Sequence, residues 1–119
     1  MKLVAIDHVQ LAMPEGQEAK AVLFYVDILG LKQVAKPAST SPGGAWFEND
    51  SVKLHLGVEK DFRPARKAHP ALLVEELDVL LTMLREKGYR IAAAEDMDGL
   101  RRAHVNDPFG NRIELIGSQ

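Results

Sequence analysis

VKLHLGV at 52–58 and NRIELIG at 111–117 are the two stretches on which the fold turns. In the first, Val52, Leu54 and Leu56 alternate with Lys53, His55 and Gly57, the period of a strand with one apolar face and one polar face. The second repeats it. Lys53-Leu54-His55-Leu56 lies over Arg112-Ile113-Glu114-Leu115, so His55 and Glu114 occupy the same place and point away from the apolar face.

The elements ahead of each stretch also recur. Residues 3–13 (LVAIDHVQLAM) are rich in aliphatic and β-branched side chains and stop at Pro14, as a strand does before a proline. Between 17 and 29, Val22, Tyr25, Val26 and Leu29 fall on one helical face, with Gly30 placed to cap it. A short strand at 31–34, loop chemistry in STSPGG at 39–44 and a strand in AWFEN at 45–49 lead into VKLHLGV. The stretch EKDFRPARKA at 59–68 is charged, carries a proline and has neither period, so it reads as a linker. Then the series restarts: HPALLV at 69–74, a helix on Leu77, Leu80, Leu81 and Leu84 before Gly88, YRIAAA at 89–94, and a hairpin of RRAHVN at 101–106, DPFG at 107–110 and NRIELIG.

His8 pairs with His69 at an offset of 61, Gly30 with Gly88 at 58 and His55 with Glu114 at 59, differences that loop lengths absorb. The prediction is an α+β fold of two repeated βαβββ modules forming an incomplete β-barrel, with the helices on its outer face. Module 1 takes residues 1–58, the linker 59–68 and module 2 69–119, within a single domain of 119 residues.

Composition excludes several function classes. The formal net charge of −2 gives no basic footprint for nucleic acid. With no cysteine, there are no disulfides, thiolate nucleophiles or cysteine-based metal sites, so any metal must be held by nitrogen and oxygen. No segment reads as a signal peptide or membrane span, and the expectation is a cytoplasmic protein.

If the helices cover one face of each sheet, His55 and Glu114 lie on the other, and His8 and His69 take matching places on the first strands. A pseudo-two-fold relation between modules would then gather His8, His55, His69 and Glu114 into one site. Three imidazoles and a carboxylate suit Zn, Ni, Fe, Mn or Co, and leave two positions free on an octahedral ion for a substrate with two neighbouring oxygens. Trp46 is a candidate substrate-lining residue. His104 pairs with Ala45 at the same offset and reads as a surface residue, and Arg101 and Arg102 read as a solvated pair.

The chain resembles the vicinal oxygen chelate superfamily, which includes glyoxalase I, extradiol dioxygenases, methylmalonyl-CoA epimerase, and fosfomycin- and bleomycin-resistance proteins. IDHVQLAM with His8, FYVDILGLK at 24–32, His69 and DPFGNRIEL at 107–115 carry the resemblance. It implies that His8, His69 and Glu114 match shared metal-ligand positions and that His55 matches a fourth used by some members. His55 departs from the glutamate of glyoxalase I and the glutamine of the epimerase. The implied function is a glyoxalase-like lyase or isomerase, with the metal as Lewis acid and Glu114 as the catalytic base. The alternatives are a metal-free drug-binding protein of the bleomycin-resistance type and an Fe(II) dioxygenase. The implied partners are a small-molecule substrate and a second copy of the chain in a homodimer.

Overall fold

A computed structural model describes residues 1–118. Two compact units divide the chain, residues up to Arg63 and residues from Pro64 on. In the first, β1 (Val9–Met13), α1 (Glu18–Tyr25), β2 (Lys32–Val34), β3 (Ala45–Glu48) and β4 (Lys53–Val58) follow in order. In the second, β5 (Ala71–Leu73), α2 (Leu77–Glu86), β6 (Ile91–Met97), β7 (Leu100–Asn106) and β8 (Arg112–Ser118) repeat the series. Each unit is therefore a βαβββ module with one open four-stranded sheet, ordered β1-β4-β3-β2 and β5-β8-β7-β6. The predicted α+β class and the repeat stand.

The repeat holds to the level of register. The first strand of each module runs parallel to its last, with Gln10 opposite His55 and Ala71 opposite Glu114. The third strand runs antiparallel to the last, with Trp46 opposite His55 and His104 opposite Glu114. A parallel pair needs a crossover, which the helix supplies while burying its apolar side on the sheet. Leu54 and Leu56, with Phe24, Tyr25 and Phe47, form the core of the first module, the Tyr25 and Phe47 rings stacking at 5.3 Å. In the second, Leu77, Leu81 and Leu84 of α2 are buried with Val105, Ile113 and Leu115. At Gly117 the helix lies so close that an added Cβ would stand 2.7 Å from Leu77 Cβ.

Three sequence expectations shift. The first strand begins at Val9 rather than residue 3, and Leu3, Val4 and Ile6 are exposed. Its partner β4 starts at Lys53, just after a turn in which Asn49 N–H donates to Val52 O, so no backbone remains for earlier residues to pair with. On α1 the buried face is Ala21, Phe24, Tyr25 and, just beyond the helix, Ile28; of the expected face only Tyr25 is buried, while Val22, Val26 and Leu29 are half-buried. Residues 21–29 are apolar nearly all round, so periodicity alone fits more than one face. His8 and His69 stand just ahead of β1 and β5 rather than within them. Pro70 is accommodated because β5 is an edge strand, and its carbonyl accepts the Glu114 N–H at 3.0 Å.

The loop before β3 shows why it needs two glycines. Gly44 has φ +79, and a Cβ there would fall 2.2 Å from the Leu56 carbonyl oxygen. Its N–H donates to Glu18 Oε2 at 2.9 Å, tying the loop to the first turn of α1.

Candidate metal-ligand cluster

In the first module, His55 is buried on the sheet face away from α1, only 4% exposed. Trp46, directly across on β3, stacks on its ring at 4.0 Å and 3°, and His8 stacks at 4.4 Å. His55 Nε2 lies 3.0 Å from Glu48 Oε2, and a carboxylate can only accept, so Nε2 carries a proton, which in the neutral ring leaves Nδ1 a lone pair. That Nδ1 is buried and has no hydrogen-bond partner among the described residues. His8 Nδ1 bonds to Asp7 Oδ2 at 2.9 Å.

In the second module, Glu114 occupies the equivalent place on β8, 5% exposed. Four groups converge on its carboxylate. Arg102 donates from Nε to Oε2 at 2.9 Å and from Nη2 to Oε1 at 3.3 Å, while His69 Nε2 and His104 Nε2 lie 2.9 and 3.3 Å from Oε1. Arg102's bonds, then those of His69 and His104, hold the Glu114 carboxyl down from 4.5 to about 2 against the opposing effect of burial.

His69 is oriented by a second bond, its Nδ1 lying 2.7 Å from the Lys67 carbonyl oxygen. That nitrogen must donate, which in the neutral ring leaves the Nε2 lone pair facing a carboxylate oxygen. Two acceptors at 2.9 Å require a proton or a metal cation between them, and a histidine fixed by a backbone carbonyl is the usual support of a metal ligand. His69, His104 and Glu114 each offer one ligand atom, all within 4.8 Å of one another. Two imidazoles and a carboxylate fit a divalent transition metal.

Two members of this cluster were misread in the sequence. His104 is half-buried beside Glu114, not a surface residue, and it matches Trp46 rather than Ala45. The turn between β3 and β4 has four residues, 49–52, and that between β7 and β8 has five, 107–111, so the offset changes by one across the hairpin. Arg101 and Arg102 are not a solvated pair. They alternate to opposite faces, Arg101 bonding to Asp78 on α2 and Arg102 reaching Glu114 and the Glu95 carbonyl oxygen. The alternation of RRAHVN already placed Arg102 and His104 on one face.

The model of the glyoxalase/bleomycin resistance protein/dioxygenase superfamily matches residues 5–115. The chain belongs to that superfamily. A Bacillus anthracis protein, named there only as a member of the glyoxalase family, is 37% identical, with a TM-score of 0.92 over 100% of this chain and 98% of its own. The antibiotic-binding protein TnmS3 from Streptomyces sp. CB03234 is 23% identical, with a TM-score of 0.69 over 98% of this chain and 100% of its own. The fosfomycin resistance protein FosX from Listeria monocytogenes is 11% identical, with a TM-score of 0.75 over 99% and 94%. At such identities the last two share the fold alone. No curated protein matches the chain. Among the described residues, no helix is long and apolar enough to cross a membrane.

Proposed function

We propose that this superfamily member is a metal-dependent enzyme of lyase or isomerase type, acting on a small substrate with two adjacent oxygens. The observation that carries this reading is the convergence of His69, His104 and Glu114, with His69 turned by the Lys67 carbonyl so that Nε2 faces the carboxylate. His8 and His55 are the further ligands expected from the repeat, and the orphaned Nδ1 of His55 supports such a role. A divalent ion bound here supplies Lewis-acid stabilisation of negative charge on a substrate oxygen. Glu114 is the base that moves the substrate proton. With Arg102 upon it, its carboxyl lies at about 2 and is a weak base at neutral pH. Withdrawal of the guanidinium restores basicity, which makes Arg102 the group that sets the proton affinity of Glu114. Trp46, stacked over His55, lines the substrate side of the first module.

The first test is metal content per chain, on protein made without an affinity tag and again after reconstitution. About one ion per chain is expected, retained by neither His69→Ala nor His104→Ala. A chain that takes up no metal after reconstitution removes the enzyme reading. It then favours the metal-free ligand-binding reading, for which the Arg102 fork on Glu114 is the supporting observation. Iron as the bound metal would instead favour dioxygenase chemistry, because two histidines and one carboxylate with open positions suit Fe(II) and dioxygen.

Arg102 donates to both Glu114 oxygens, so its positive charge would compete with a cation for the carboxylate. Arg102→Gln is therefore expected to tighten Zn(II) binding about tenfold in a competition titration against a chelator, since the charge-assisted bonds to Glu114 no longer oppose it. Unchanged or weaker affinity would show that the guanidinium does not compete.

A further inference from the structure

A concavity of about 480 Å³ in the second module, within the usual size of a small-ligand pocket, adjoins the cluster and shares only His104 with it. Arg90, Ile91, Ala92, His104, Asn106 and Arg112 line it. Register explains why these residues meet. Asn106 stands opposite Arg112, and His104 opposite Glu114. Ala92 stands opposite His104 and Ile91 opposite Val105, so Arg90, one residue earlier, comes level with Asn106. Two rows thus cross β6, β7 and β8 on one face: Arg90, Asn106 and Arg112, then Ala92, His104 and Glu114. They are one two-residue step apart, about 7 Å.

The charge of the first row is one-sided. Two guanidiniums and an amide face the concavity, and its lining includes no carboxylate. Among the described residues, neither Arg90 nor Arg112 has a side-chain ion pair or hydrogen bond, whereas Arg101 and Arg102 both do. Uncommitted guanidiniums on the wall of a pocket, next to an amide donor, are the geometry that takes up an oxyanion. We propose that Arg90, Asn106 and Arg112 form an anion subsite that holds a carboxylate or phosphoryl group of the substrate, one strand step from His104 and Glu114. The inference rests on the proposed function for its orientation and names the substrate class: an anionic small molecule whose adjacent oxygens reach the cluster while its remote oxyanion lies on the arginine row.

The test uses the full chain stripped of metal, at low ionic strength, with inorganic phosphate as the probe. Saturable binding is expected, with amide NMR shifts concentrated at residues 90–92, 104–106 and 112. Arg90→Gln and Arg112→Gln are each expected to weaken it at least fivefold, and Arg85→Gln on α2 to leave it unchanged. Carboxylate recognition is read by repeating the titration with acetate. Absence of binding, or equal losses in all three variants, would overturn the subsite. Because no metal is present, this failure leaves the metal-content result standing, and a failed metal-content test leaves this one standing.

Discussion

Glu114→Gln is expected to weaken divalent-metal binding by at least about a hundredfold, since loss of an outer-sphere partner alone costs ten- to a hundredfold and this change removes a charged ligand. Its second effect is on acid stability. The folded-state carboxyl, at about 2, lies below its ordinary 4.5, so the folded chain binds fewer protons than the unfolded one between those values. Stability from this group is full above about pH 4.5, falls as pH drops towards 2 and is gone below that. For a carboxylate this deeply buried, the whole contribution is on the order of 3 kcal/mol. The metal-free wild type should therefore exceed Glu114→Gln in urea resistance most at neutral pH, with the two profiles converging near pH 2. Parallel profiles across that range would mean that the contacts of Arg102, His69 and His104 give Glu114 no net stabilisation.

Asn111→Ala is expected to cost about 2–4 kcal/mol, because it removes two hydrogen bonds of a buried amide, one of them to a charged group. Asn111 is fully buried; its Oδ1 accepts the Ala65 N–H and its Nδ2 donates to Asp107 Oδ2, both at 3.0 Å. Asp107 Oδ1 in turn accepts the backbone N–H groups of Phe109 and Asn111, each at 2.9 Å. The side chains of DPFGN thus close the turn on itself and pin the chain at Ala65 to the start of β8, three residues from Glu114. Calorimetry should show the unfolding midpoint lowered by roughly 10 °C, while Asn106→Ala, exposed and outside this network, stays close to wild type. A midpoint for Asn111→Ala as high as that of Asn106→Ala would mean that the turn holds without its buried amide.

What could be read in the chain was whatever depends on period and repetition. Alternation in VKLHLGV and NRIELIG assigns a face to every residue of those strands, and the structure keeps Leu54, Leu56, Ile113 and Leu115 on the helix side with His55 and Glu114 opposite. Four leucines at helical spacing mark α2 because the rest of that helix is polar. α1 has no such contrast, and its buried face was misjudged. Where two strands must find each other, pattern is weaker still. A one-residue difference between two turns moved His104 from the place of Ala45, which is buried on the helix side, to that of Trp46 on the other face, within 3.3 Å of Glu114.

The amino-acid sequence by itself determined the family, the two modules and the polar face on which chemistry is possible, because strand alternation and helix spacing are local properties written in neighbouring residues. Only the tertiary structure decided that Arg102 and His104 share the carboxylate of Glu114 with His69, and that Arg90 comes level with Asn106 and Arg112. Those contacts depend on hydrogen-bond register between strands and on which way a long side chain turns to satisfy a buried charge. Neither is encoded in the spacing of residues along one strand.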